Sequence, residues 1–235
     1  MFHNYFNSRE LFLYSMTMKT LTLLPSNKKI RANNIFCVGQ NYADHAKEMG
    51  GVPQKEPIIF LKPTSAIIEN GQNIIIPKMS TNVHHEVELT VLIGRQGKNI
   101  PQFEALKYVA GYGVGLDMTM RDKQSEAKKS GNPWTISKGF DTSAALSSFI
   151  ESSKISDPQN LEIMLNVNGN ERQHSNTKNM IYTIDVLISF LSTVFTLEEG
   201  DIIYTGTPEG VAQVLSGDIL NAEIPGVGTI QHSVI

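Results

Sequence analysis

A single cysteine, Cys37, is present among 235 residues, so no internal disulfide can staple the chain. Charge is equally sparse: 20 Lys and Arg stand against 23 Asp and Glu, a net of −3. No basic stripe runs along the chain, which excludes nucleic acid and other polyanions as generic partners. No segment approaches the ~18 uninterrupted apolar residues that a membrane helix needs, so no membrane association is expected. Internal repeats, low-complexity tracts and a linker to a second domain are all lacking. The lone cysteine lies in Ile35-Phe36-Cys37-Val38-Gly39, where it reads as a small buried hydrophobe in a strand. A reducing, cytoplasmic setting is the default that follows. Leu11 to Leu24 resembles an export signal only superficially, being interrupted by Lys19 and without a small-x-small cleavage site. With Met16 and Met18 as alternative starts, 1–18 is expected to be an N-terminal extension and 19–235 a single domain of 40% hydrophobic composition.

What is present is a succession of short strands separated by turns. Strands are expected at Ile35 to Val38, Ile58 to Leu61, Ala66 to Ile68, Val87 to Ile93, Ala110 to Met118, Leu161 to Val167 and Asp201 to Tyr204. Asn168-Gly169 marks a tight hairpin, because both central turn positions need positive φ. Helices are expected at Asn41 to Met49, Arg121 to Lys129 and Thr183 to Val194, the last with an apolar stripe at helical spacing that serves the core. The mixture predicts an α+β, mainly β fold, antiparallel for the most part.

Three carboxylates carry the chemical signal. Glu86 and Glu88 flank Val87 at the start of an alternating strand, so a period of two puts both on one face, about 7 Å apart at their Cα atoms. About thirty residues on, Asp117 ends the apolar, glycine-punctuated run Val109 to Leu116. A Glu-x-Glu also suits a solvated outer face, but an aspartate closing a buried strand needs a partner. If the three are ligands, their oxygens favour Mg2+ or Mn2+, with Ca2+ also admitted, over zinc.

Other groups can serve chemistry around them. His45 and Glu48, three apart on a short helix, match a general-base pair or an ordinary surface contact. Arg121 and Gln124 share a helical face, and with Lys138 they suit an anionic substrate that develops an oxyanion. Lys62 closes a strongly apolar strand, where it is either a site residue or a snorkelling lysine. Thr205-Gly206-Thr207 at a strand end suits a carboxylate or a plain turn. Gly111, Gly113 and Gly115 lack the third spacing and the following helix of a dinucleotide fingerprint.

Six motifs in order resemble the fumarylacetoacetate hydrolase superfamily: Gly39-Gln40-Asn41-Tyr42-Ala43-Asp44-His45, Phe60-Leu61-Lys62-Pro63, His85-Glu86-Val87-Glu88-Leu89, Leu116-Asp117-Met118-Thr119-Met120-Arg121-Asp122, Lys138-Gly139-Phe140-Asp141 and Thr205-Gly206-Thr207-Pro208-Glu209-Gly210-Val211. The likeness runs from about Lys28 to the C-terminus and is greatest to the small single-domain branch of acylpyruvate hydrolases and oxaloacetate decarboxylases. It implies a mixed β-sandwich roll, a homodimer, and Mg2+ or Mn2+ held by Glu86, Glu88 and Asp117. It further implies a mobile lid carrying His45 and Glu48, with the glycine-containing flank at 49–53 as its hinge. Arg121, Gln124 and Lys138 would surround the substrate, Lys62 would stand at the site edge, and Thr207 would hold the substrate carboxylate. Gln40 departs from the arginine frequent in relatives. The implied activity is metal-dependent cleavage of the carbon–carbon bond of acylpyruvates, with His45, Glu48, Gln124 and Lys138 catalytic. The alternatives are an oxaloacetate decarboxylase or tautomerase, a 2-hydroxyhepta-2,4-diene-1,7-dioate-type isomerase, or a non-catalytic dicarboxylate binder.

Overall fold

Alternation along one hairpin decides the architecture. In the strand Val87–Ile93 the side chains of Val87, Leu89, Val91 and Ile93 enter one core and Leu92 enters another, because successive residues point to opposite faces. Its antiparallel partner, Val109–Asp117, sends Tyr112, Val114 and Leu116 into the first core. Gly111, Gly113 and Gly115 lie on its other face. A Cβ at Gly113 would stand 2.9 Å from Thr90 Oγ1, and one at Gly115 would stand 2.6 Å from both Thr90 Cγ2 and Tyr204 Cε1. The repeated glycines therefore serve close packing inside a curled sheet.

The computed structural model describes residues 19–48 and 55–235. The expected extension at 1–18, the glycine-containing flank at 49–53 and the last residue of the first expected helix lie outside the described residues. The fold is α+β and mainly β. A ten-stranded mixed sheet runs, along its main path, through Lys28–Arg31, Thr20–Leu24, Phe149–Glu151, Val109–Asp117, Val87–Ile93, Ile202–Tyr204, Ile35–Gly39 and Ile58–Lys62. Three of its pairings are parallel: Thr20–Leu24 with Phe149–Glu151, Ile67–Glu69 with Ala144–Leu146, and Ile35–Gly39 with Ile202–Tyr204. The inside of the curl is filled by the second core, which includes Leu21, Ile35, Cys37, Phe149, Ile202 and Tyr204.

A four-stranded antiparallel sheet, Glu162–Val167, Asn170–Asn176, Ile219–Ile224 and Gly228–Ser233, covers the other face. Its Ile163, Leu165, Leu220 and Ile230 join Val87, Leu89 and Val114 in the first core, giving two apposed sheets. The helix Ile184–Val194 adds Ile184, Leu187, Ile188 and Leu191 to that core. At the expected hairpin, Asn168 and Gly169 take φ of 53° and 78°.

Three differences from the sequence reading have local causes. The strand expected from Ala66 starts one residue later, because Thr64–Ala66 closes a 3-10 turn after Pro63. The hairpins Thr20–Leu24/Lys28–Arg31 and Ile219–Ile224/Gly228–Ser233 went unassigned, being short and half polar. The four-residue helix Thr135–Lys138, which carries Lys138, is too short for a periodicity signal.

Gly115→Ala is expected to cost about 1–3 kcal/mol through overpacking against Tyr204 and Thr90. Thermal unfolding followed by circular dichroism should show a fall of roughly 2–4 °C per kcal/mol. An unchanged melting temperature would mean that the inner face of the curl is not close-packed there.

Candidate functional site

The register of the central hairpin gathers the carboxylates. Val87 faces Leu116 and Glu88 faces Gly115, so the next position outward sets Glu86 against Asp117, where the Asp117 N–H donates to the Glu86 carbonyl at 2.9 Å. Glu88 lies two residues along on the same face. One oxygen from each of Glu86, Glu88 and Asp117 can be chosen with all three within 4.8 Å of one another. All three residues are buried.

Three protein cations answer this charge. Lys138 Nζ bridges Glu86 Oε2 at 2.6 Å and Asp117 Oδ2 at 2.7 Å. Arg121 Nη2 meets Glu86 Oε1 at 2.5 Å, and its Nη1 donates to Gln124 Oε1 at 2.6 Å. Lys62 Nζ lies 2.7 Å from Asp117 Oδ1 with its side chain fully buried. A snorkelling Lys62 is thereby excluded: the strand Ile58–Lys62 delivers it beneath the site, where it also donates to the Lys138 carbonyl. Burial opposes the charge of Glu86, but Lys138 and Arg121 together hold its carboxyl well below the usual range. Burial likewise works against Lys138, and Asp117 and Glu86 keep its ammonium above its ordinary value.

Glu88 has no cation partner among the described residues. Its Oε2 accepts the Gly206 N–H at 2.6 Å, and burial, reinforced by the charges of Asp117 and Glu86, pushes its carboxyl well above 4.5. Three oxygen donors, one of them a carboxyl whose ionisation is opposed by burial and by its neighbours' charges, form a site short of positive charge. A hard divalent cation fits that donor set, and its charge is what Glu88 lacks. Gly206 is fixed as glycine by φ of 97° and by Asn41, whose Cβ would stand 2.6 Å from a Cβ there.

Above the cluster a narrow cavity is lined by His45, Glu86, Arg121, Gln124, Lys138 and Thr207, with Gln40, Phe60, Lys128 and Trp134 among its further walls. His45 is buried, and its Nδ1 lies 3.1 Å from Glu48 Oε2. His45 is therefore part of the cavity wall, while Glu48 is exposed and holds the ring from outside it. Glu48 also accepts the Gly210 N–H at 3.2 Å, which seats the helix Ala43–Glu48 on the loop after Thr207. Glu88, Asp117 and Lys62 lie beneath the cavity and do not line it.

Two supporting residues have no role in the sequence reading: Gln173, which stands in none of its motifs, and Asn41, which stands in the first of them without an assigned part. Gln173 is buried in the largely exposed strand Asn170–Asn176. Its Nε2 donates to Thr207 Oγ1 at 2.8 Å and to the Pro208 carbonyl at 2.9 Å. Its Oε1 accepts from the Val87 N–H at 3.1 Å and lies 2.9 Å from His85 Nδ1, which assigns the proton to Nδ1. Since Thr207 Oγ1 accepts from Gln173, its own hydrogen is left for an anion in the cavity. Asn41 bridges the Tyr182 N–H and the Thr205 carbonyl, at 2.7 Å each. Neither residue stands in a pattern that sequence periodicity can flag.

A mixed β-roll that buries an acidic triad able to hold a divalent ion, under a cavity walled by cations and an imidazole, is an arrangement suited to chemistry on small anions. The chain belongs to the fumarylacetoacetate hydrolase family: the description "Fumarylacetoacetate (FAA) hydrolase C-terminal" matches residues 34–235. It is 48% identical over 204 residues to the oxaloacetate tautomerase FAHD1, mitochondrial, of Arabidopsis thaliana, covering 87% of this chain and 92% of that protein. The Rattus norvegicus protein of the same name is 49% identical over 201 residues, 86% of this chain and 91% of its own. The crystal structure of fumarylpyruvate hydrolase from Pseudomonas aeruginosa in complex with Mn2+ and pyruvate matches with a TM-score of 0.90 at 38% identity, over 93% of this chain and 96% of that one. None of the helices among the described residues is long and apolar enough to cross a membrane.

Titration of the metal-free protein with Mn2+ in weak buffer is expected to release protons from Glu88, to an extent that grows as the pH is lowered. Because that carboxyl is raised above 4.5, its proton competes with the ion, and affinity should fall as pH drops below the raised value. Calorimetry in buffers of different ionisation enthalpy measures this; binding with no proton release and no pH dependence would contradict it.

Proposed function

We propose that the chain cleaves the carbon–carbon bond of acylpyruvates with a divalent ion, Mg2+ or Mn2+, held by Glu86, Glu88 and Asp117. The observation that carries this reading is the convergence of His45 with Arg121, Gln124, Lys138 and Thr207 on one cavity directly above the triad. Bound there, the ion would act as a Lewis acid, stabilising negative charge on the 2-oxo group of the substrate.

The protein's own groups do the rest. The Thr207 hydroxyl and the Arg121 guanidinium bind the substrate carboxylate. With the triad's charge compensated by the ion, the Lys138 ammonium is available to the reacting anion. His45, oriented by Glu48, takes a proton from water, and the oxygen adds to the 4-carbonyl carbon. Gln124 and Lys138 stabilise the resulting oxyanion. The bond between carbons 3 and 4 then breaks, its electron pair passing into the pyruvate enolate, and protonation at carbon 3 yields pyruvate and a carboxylic acid.

A second reading has support of its own, the 48% identity to an oxaloacetate tautomerase over most of both chains. Decarboxylation or tautomerisation of oxaloacetate uses the same enolate and requires no attack by water. That relative is named as a mitochondrial protein, so a single cysteine and a reducing setting do not by themselves select the cytoplasm. The homodimer implied by the resemblance is part of the proposal, and sedimentation at twice 26.0 kDa tests it.

Pyruvate release from acetylpyruvate, oxaloacetate and fumarylpyruvate, each with Mg2+, Mn2+ or EDTA, is the primary test. EDTA-sensitive production of pyruvate and acetate from acetylpyruvate is the expected result. Turnover of oxaloacetate alone moves the assignment to the second reading. Metal binding without turnover of any keto acid leaves a non-catalytic dicarboxylate binder. His45→Ala should lower hydrolysis by about 100-fold or more while sparing part of the decarboxylation; equal loss of both would overturn this division of labour.

A further inference from the structure

One wall of the cavity is a ladder of charges and rings that leads away from the carboxylates. Lys138 Nζ sits 4.9 Å from the centre of the Phe60 ring, Phe60 and Trp134 lie 5.8 Å apart between centroids, and Lys128 Nζ sits 5.0 Å from the Trp134 ring. The inner lysine is engaged by Glu86 and Asp117. The outer one has no carboxylate partner among the described residues, and its contact is the indole face.

Helix geometry explains how Lys128 reaches the cavity. Arg121, Gln124 and Lys128 stand at i, i+3 and i+7 of the helix Arg121–Ser130, on one face. Seven residues advance the axis by about 10 Å, and a lysine stem on a helix leans back toward the N-terminus. Lys128 therefore extends over Gln124 from the mouth of the cavity while Arg121 holds Glu86 at its floor. Partial desolvation and the nearby charges of Arg121 and Lys138 lower its ordinary value, opposed in part by Glu86, so the like charges outweigh the compensation this ammonium receives. Across the mouth, Gln40 offers an uncharged amide from a left-handed backbone, φ 57°.

We propose that Lys128 determines specificity by binding the second carboxylate of a dianionic 2-oxo acid whose first carboxylate lies at Arg121 and Thr207. The substrates favoured are short 2-oxo dioates: oxaloacetate and fumarylpyruvate carry the second carboxylate, whereas acetylpyruvate, which ends in a methyl group, is turned over without the contribution of Lys128. This inference rests on the keto-acid reading of the site. Lys128 is exposed at the mouth, and its contact with the indole face is what places its charge as a positive end to the cavity.

The test compares wild type, Lys128→Met and Lys128→Arg in the presence of Mg2+. For Lys128→Met, the ratio of kcat/KM for oxaloacetate to that for acetylpyruvate is expected to fall about tenfold, through KM. Lys128→Arg should restore most of it, and added salt should reduce the ratio more in wild type than in Lys128→Met. Equilibrium binding of 2-oxoglutarate and 2-oxobutyrate, which differ by one carboxylate, supplies a readout independent of turnover. Wild type should favour the dianion and Lys128→Met should lose that preference. A ratio and a binding preference both unmoved by Lys128→Met overturn the role of Lys128 and leave the keto-acid reading standing. Absence of turnover with the binding preference intact removes the catalytic reading and keeps the charge assignment, and binding of neither acid overturns both.

Discussion

Three buried carboxylates and the charges that answer them are the condition on which the rest of this structure depends. An uncompensated ion inside a protein costs several kcal/mol even after relaxation. Lys62, Lys138 and Arg121 meet that cost for Glu86 and Asp117 and leave Glu88 without a cation of its own. Each of the three comes from a different element: the end of a strand, a four-residue helix and the start of a longer helix. The cluster thus ties together segments far apart in the chain, and a change in any one of them leaves a buried charge unanswered.

The curl of the large sheet makes this cluster possible. Glycines at alternate positions of Val109–Asp117 let Thr90, Phe149 and Tyr204 pack against bare backbone, so the inner face closes tightly below the site. The opposite face of the same hairpin is held by the four-stranded sheet through Ile163, Leu165 and Leu220. Rigid support on both sides keeps Glu86 in register with Asp117; a slip of one residue would turn the glutamates into the sandwich core.

Much of this was legible in the chain. The alternation of Val87, Leu89, Val91 and Ile93 indicates which face Glu86 and Glu88 share, and the glycine-rich run ending in Asp117 indicates a buried strand. The pairing of these two strands, with Glu86 opposite Asp117, was not legible, because register is a property of two segments and periodicity describes one. Lys62 shows the same limit: a lysine at the end of an apolar strand has one sequence signature whether it points to water or to a buried aspartate. Gln173 is the extreme case, since six polar neighbours in Asn170–Asn176 conceal the one residue that turns inward.

Glu48 makes two contacts with one carboxylate, to the His45 ring and to the Gly210 N–H. One carboxylate thus both orients the imidazole and seats its helix on the loop. A helix lifted from the loop would lose the Gly210 contact and carry the His45–Glu48 pair away with it, so that the imidazole would no longer be aimed at the cavity. On the proposed reading, a state with the helix lifted would carry the proton acceptor away from a reactive enolate, so that the enolate would not meet an engaged base and open water at once.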